Sequence, residues 1–373
     1  MPLSFGLYKS LPSYLKWALS ILLLLCMQLI WSLSGRNKIL NHSPLQIREI
    51  SEVGEENYNA NIVCIQPYML SSDYASVEVF YNKIDGYFSE AKEEGLLHEN
   101  TLVVFPEHIG TPLFFINEKS AVINATSYRK ANLLAISSNL WQYFINALKL
   151  SDTQFLKVFL GYKANEVCKV YQFVFSSMAK KYKVHVLAGS ILLPEPFVVD
   201  GRLKVNKNGG LQNTSIMYLP DGKAIQNLVT EKNINSLERT LIKESKSTNN
   251  NLFTTSFGEI AVSLGDDIWS AKPKNITINP YVTPSSLEIH SDEYFGNKVL
   301  EKINSNPNLT LESLFIERLD SQTIAGNTLA VSLFLRGKIW HHDLKGKTMI
   351  SYKNEIISGF DVEGASIISI GIP

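Results

Sequence analysis

The sequence predicts one α/β domain with a layered sheet core, set behind a single hydrophobic helix at the N-terminus. Three observations predict it. Apolar runs such as "LVVF" at 102–105 and "IAVSL" at 260–264 show little polar alternation, as strands buried on both faces do. In the first half of the chain such runs alternate with amphipathic helical stripes, whereas strands dominate later. Residues 17–35, "WALSILLLLCMQLIWSLSG", contain no charge.

The N-terminal run lies between Lys16 and Arg36, with Trp17 and Trp31 near its ends. Its length suits one membrane span of roughly 20 residues, and its tryptophans suit the membrane–water interface. A cleaved signal peptide is the rival reading, because the small residues Ser32 and Ser34 precede Gly35. Lys9 and Lys16 on one side face Arg36, Lys38 and Arg48 on the other, so charge does not set the orientation. The expectation is a single-pass membrane protein with its soluble domain extracytoplasmic, or a secreted domain if the segment is cleaved. Residues 37–60 are polar and weakly patterned and read as a linker.

The body follows from 61 to 373. "NIVCIQP" (61–67) is a strand stopped by proline. "SVEVFYNKIDGYFSEAKEEG" (76–95) carries Val79, Phe80, Ile84, Tyr87 and Phe88 on a helical stripe and ends in glycine. "TLVVFPE" (101–107) is a second buried strand. Residues 111–160 read as an insertion with aromatic and leucine-rich helical pieces, among them Trp141, Phe144 and Leu148. Val167, Tyr171, Val174 and Met178 share a helical face within 166–182, and "KVHVLAGSIL" (183–192) follows as a strand. "NTSIMYLPDGKAIQNLV" (213–229) reads as two strands around a Pro-Asp-Gly turn. Runs at 259–265, 275–280, 328–335, 347–352 and 365–372 complete the strands.

Composition excludes some functions. The chain has 373 residues with 35 basic and 35 acidic side chains, and no basic stripe of the kind a nucleic-acid partner needs. Cys26 lies in the apolar segment, while Cys64 and Cys168 fall on a strand and a helix, where buried free thiols are expected. Glycosylation sequons occur at Asn41, Asn124, Asn213, Asn275 and Asn308, and matter only in a eukaryotic secretory route. His108, His341 and His342 have no metal-ligand spacing, so neither metal nor cofactor is expected, and "HHD" at 341–343 reads as an exposed turn.

Three places suit chemistry. Glu107 stands at the carboxyl end of a buried strand, where desolvation favours a general base. Lys232 follows "NLVTE" and can stabilise an oxyanion. The third is "FGEIAVSLGDDIW" (257–269), a strand ending in a turn and an acidic pair.

In this order the segments resemble the nitrilase, or carbon–nitrogen hydrolase, superfamily. "NIVCIQP", "LVVFPEHIG", "VLAGSIL", "LQNTSIMYLPDGKAI", "NLVTEKNI", "FGEIAVSLGDD" and "NTLAVSLFLRG" match its succession of strands and motifs over 61–373. The resemblance implies an α-β-β-α sandwich and hydrolysis of non-peptide C–N bonds of amides or nitriles. It also implies Glu107 as the base and Lys232 as the oxyanion lysine, with Glu238 in the place of a second glutamate. The nucleophilic cysteine position falls on Gly265, in a register supported by Gly258 and Asp267. Glycine cannot attack a carbonyl, so the resemblance implies a catalytically impaired protein. Ser263, two residues earlier on the same face of the strand, and Asp266, beside the vacant position, are the substitutes that keep an active amidase or acyltransferase open. A small amide or carboxylate is the expected ligand. The family's habit of associating through helices near the site leaves a homo-oligomer or a non-enzymatic partner-binding module as further readings.

Overall fold

The computed structural model describes residues 12–36, 41–54, 58–143, 145, 155–232, 252–255, 258–265, 267, 278–283, 313–314, 316–317, 329–352, 355–358 and 363–372. Two sheets carry the body. The first runs in the order Ile47–Gly54, Ala365–Ile372, Ala60–Gln66, Thr101–Val104, His185–Pro194, Leu211–Tyr218 and Val229–Thr230. The second contains Leu252–Thr255, Gly258–Ala261, Ile278–Thr283, Leu329–Phe334, Met349–Tyr352 and Glu355–Ser358, with Ser263–Leu264 paired to Ile278–Thr283.

The alternation of side chains along each strand explains the continuous apolar runs. Ile62 and Cys64 point into a core between the sheets, shared with Leu102, Val104, Ile260, Val262, Leu264, Val331 and Ile350. Val63 and Ile65 point the other way, with Val103 and Phe105, into a core roofed by two helices. Those helices are Val77–Glu93 and Phe155–Tyr182. Ser76 caps the first, its hydroxyl accepting from the Val79 N–H at 3.2 Å, and Phe80, Ile84, Tyr87 and Phe88 face the sheet. The second begins earlier than its stripe at 166–182 predicts and buries Val167, Tyr171, Val174 and Met178 as expected. Among the later described residues, 313–314 and 316–317 are helical.

Residues 37–60 are not a simple linker. Ile47–Gly54 forms a strand that pairs in parallel with Ala365–Ile372. It lies at the sheet edge and is only partly buried, so its sequence lacks the apolar run that marks the inner strands. Residues 341–343 also differ from an exposed turn: His341 is exposed, but His342 opens the strand His342–Lys345, paired with Arg336–Ile339. Cys64 and Cys168 are free and buried, and burial pushes both thiols up to about 12. Among the sequons, Asn41 and Asn124 are exposed, Asn213 is fully buried, and Asn275 and Asn308 lie outside the described residues.

The N-terminal helix, Ser13–Leu33, is long and apolar enough to cross a membrane, and none of its residues is buried. Its last turns are docked on the body. Gln28 Nε2 donates to the Ser137 carbonyl at 2.6 Å, and the Ser32 hydroxyl donates to the Ser138 carbonyl. Arg36 donates to the Asn117 carbonyl at 3.0 Å, to Asn139 Oδ1 at 3.1 Å and to Glu118 Oε2 at 3.1 Å. Glu118 has a fully buried side chain and also meets Lys163 Nζ at 3.3 Å, as well as the Asn139 amide. Lys119 Nζ donates to the carbonyls of Trp31 and Ser34, and lies 4.2 Å from the centre of the Trp31 ring.

Candidate active site

A turn after Thr101–Val104 positions Glu107. Its backbone rests on the strand His185–Pro194: the Phe105 N–H donates to the Leu187 carbonyl at 2.9 Å, and the Gly110 N–H to the Ser190 carbonyl at 3.0 Å. The Ser190 hydroxyl accepts from the His108 N–H at 2.9 Å. Gly189 has φ +70°, and a Cβ there would overlap the Pro106 carbonyl. The "AGS" of this strand is therefore the bed on which the glutamate turn lies, which is why a side chain is excluded at 189.

Glu107 is 1% exposed. Its Oε1 accepts from Asn213 Nδ2 at 2.6 Å, and the same nitrogen donates to Glu231 Oε2 at 3.0 Å. One side-chain amide thus bridges two buried carboxylates. Asn213 sits on Leu211–Tyr218, and its own carbonyl accepts the Glu231 N–H at 3.0 Å, so backbone and side chain fix Glu231 together. Next in sequence, the Lys232 N–H donates to both carboxylate oxygens of Asp267, at 3.1 and 3.0 Å. Asp267 is itself 5% exposed.

Gly265 joins these groups. It has φ +49°, and a Cβ built on it would overlap Glu231 Oε1, with the carboxyl carbon 2.6 Å away. The carboxylate of Glu231 occupies the space a side chain at 265 would enter. The structure therefore brings together the Glu107 turn, the segment of Lys232 and the Gly265 turn with Asp267. Ser263 is buried in Ser263–Leu264, paired with Tyr281, and lies outside the Glu107–Asn213–Glu231 chain of hydrogen bonds. Glu238 and Asp266 lie outside the described residues. Among the described residues, no group of three His, Cys, Asp or Glu side chains is arranged to hold a metal ion.

Sequence reasoning missed two members. Asn213 stood in a strand motif and in a sequon, and its burial became visible only with the sheet formed. Glu231 directly precedes Lys232 at the end of a short strand, and that adjacency is the one signal that pointed to it. Asn213→Asp replaces the shared donor with a third carboxyl between two carboxylates. It is expected to destabilise the chain by about 2–4 kcal/mol, read in the denaturation midpoint of the full chain in detergent; a change below about 0.5 kcal/mol would show that the bridge carries no weight.

His108 borders the site, its Nε2 4.0 Å from Glu107 Oε1 and its Nδ1 2.9 Å from the Thr111 hydroxyl. Burial lowers its pKa to about 4, so the folded state holds the ring neutral at pH 7. The unfolded chain binds this proton near pH 6.5 and the folded chain only near 4, so stability is lost as pH falls through that window. With the side chain 22% exposed, we expect a loss of about 1–2 kcal/mol between pH 7 and pH 4 that His108→Gln removes. Unfolding curves of both proteins at the two pH values check it, and equal acid sensitivity would assign the loss to other groups.

No family model matches the sequence, and no curated protein does. Solved structures do. A Cys-to-Ser mutant of the Nesterenkonia AN1 amidase from the nitrilase superfamily aligns with a TM-score of 0.50 at 10% identity, over 86% of this chain and 94% of that one. An amidase from Nesterenkonia sp. aligns at 0.50 and 9% identity, over 86% and 92%. A carbon–nitrogen hydrolase from Helicobacter pylori G27 aligns at 0.51 and 13% identity, over 84% and 89%. Likeness at such low identity speaks for architecture and leaves the chemistry to this chain's own residues: the protein has the nitrilase fold, preceded by one N-terminal apolar helix.

Proposed function

We propose that this chain is a nitrilase-fold protein held at a membrane by its uncleaved N-terminal helix, in which the cysteine route to C–N bond hydrolysis is lost. The observation that carries the loss is the Glu231 carboxylate lying where a side chain at Gly265 would start. Position 265 lacks a nucleophile, and the space is filled rather than open. Glu107 keeps its place beside it, hydrogen-bonded through Asn213. Lys232 keeps its place in the chain, with its backbone tied to Asp267. Two neighbouring carboxylates repel an anion and attract a donor, so a small amide or another N–H donor suits this site better than a carboxylate.

Support for a retained helix comes from its junction. The carbonyls of Ser34 and Gly35, where a signal peptidase would act, accept hydrogen bonds from Lys119 and Ser120 of the body. We place the body on the extracytoplasmic side, an orientation that both the anchor and the export-signal readings of the segment allow. The mature chain in the membrane fraction is expected to keep residues 1–36; an N-terminus near residue 35, read by mass spectrometry, would refute retention.

The test of the site is turnover by the detergent-solubilised full chain on amides, nitriles and activated esters. We expect background rates that Glu107→Gln leaves unchanged. Turnover abolished by Glu231→Gln would overturn this reading in favour of a second one. There, the Glu231 carboxylate attacks the amide carbon, the C–N bond breaks as the amine takes a proton from a water molecule, and the hydroxide so formed cleaves the anhydride, releasing the acid and regenerating the Glu231 carboxylate.

A further inference from the structure

We propose that the face formed by the helix Tyr128–Ser138 and the residues that follow it lies in the headgroup–acyl boundary of the bilayer, beside the N-terminal helix. This rests on the reading of that helix as a membrane span, and adds which surface of the body meets the lipid and how deep it goes.

The argument is one of length. Ser13–Leu33 is a 21-residue helix, about 31 Å long at about 1.5 Å per residue, which matches a hydrocarbon core of about 30 Å. Its contacts with Ser137 and Ser138, however, begin at Gln28. The part before Gln28 is only about 22 Å long, too short to span the core with the body held wholly in water. Nor does the docking read as a loose tether. Arg36 reaches Glu118, whose side chain is fully buried and also pairs with Lys163, and Lys119 grips Trp31 and Ser34. If the helix spans, its last two turns are in the membrane, and the surface bound to them is carried about 9 Å inward. That depth is the one at which interfacial helices lie.

The surface has the matching chemistry. Leu133, one turn before Ser137, is 61% exposed, and Trp141, just beyond the end of the helix at Ser138, is 71% exposed. Ile145 continues the patch at 37%. Exposed Arg129 and Lys130 stand at the start of the same helix, where basic side chains meet lipid phosphates. In water, such an apolar face next to an uncovered apolar helix has no physical reason to stay bare. In the boundary, the tryptophan occupies the environment it favours.

The test uses the full chain with Cys26→Ser, which leaves only the buried thiols Cys64 and Cys168. Leu133→Cys, Trp141→Cys, Leu23→Cys and Glu99→Cys are each labelled with an environment-sensitive fluorophore and reconstituted into phosphatidylcholine–phosphatidylglycerol vesicles. Glu99 is exposed, and stands at the opposite end of the strand Thr101–Val104 from the Glu107 turn. Quenching by acyl-chain nitroxide lipid is expected to be at least about threefold stronger at 133 and 141 than at 99, as an insertion of about 5–10 Å requires. Labels at 133 and 141 that behave like the one at 99, while the label at 23 is quenched by lipid, would overturn the proposal and leave the anchor standing. A label at 23 accessible to aqueous iodide would remove the anchor, and the proposal with it.

Discussion

Introducing cysteine at position 265 is expected to destabilise the protein by about 3 kcal/mol or more and to yield no reactive thiol enzyme. Gly265 has φ +49°, and a side chain in left-handed backbone costs about 1–2 kcal/mol. The new Cβ would also have to push the Glu231 carboxylate away from Asn213, giving up a buried charge-assisted hydrogen bond at about 1.5–3 kcal/mol. The two positions are therefore coupled. In a Glu231→Ala background, Gly265→Cys is expected to cost about 2 kcal/mol less, and only there should the thiol react with iodoacetamide in the folded state. Denaturant titration of the four proteins in detergent, with intact-mass detection of alkylation, reads both. Additive costs would mean that Glu231 does not occupy the space, and the proposal that this position is closed to a side chain would go with it.

The second large effect lies at Glu118. Removing its carboxylate with Glu118→Ala leaves Lys163, 4% exposed, and Arg36 without their shared partner. Truncating one member of a buried ion cluster costs about 3–5 kcal/mol. For a chain of this size, that is a fall of about 4–6 °C in Tm. Lys163 then keeps Glu166, at 2.6 Å, and the Ile116 carbonyl, at 2.9 Å, so pairing Glu118→Ala with Lys163→Met should recover part of the loss by removing a buried cation that has lost its fully buried counter-charge. The exposed pair Lys181–Asp85, with N–O 2.6 Å and side chains 49% and 23% exposed, is the contrast. Lys181→Ala should stay within about 1 kcal/mol of the parent. A Glu118→Ala protein as stable as its parent would show that the helix is not clasped to the body.

How much was legible from residues follows from where each signal is written. Val63 and Ile65 face the helices while Ile62 and Cys64 face the second sheet, so an unbroken apolar run announced burial on both sides. The stripe at 79–88 announced a helix over the sheet because the helical period is local to the chain. The edge strand Ile47–Gly54 was illegible because half its surface is in water, and half-buried residues need not be apolar. Its pairing with Ala365–Ile372 joins opposite ends of the chain, and no local pattern encodes that distance.

The candidate site divides in the same way. Residue order alone determined that Glu107 ends a buried strand, that Lys232 follows another, that position 265 has no side chain, and that one uncharged run precedes the body. These are properties of single positions and short periods. Only the folded chain decided that Asn213 would hold Glu107 and Glu231 together, that Glu231 would fill the space left at Gly265, and that Arg36 would reach a buried Glu118. Each of these joins residues from separate parts of the chain, and their energies come from desolvation and hydrogen-bond geometry that exist only once the sheets have closed around them.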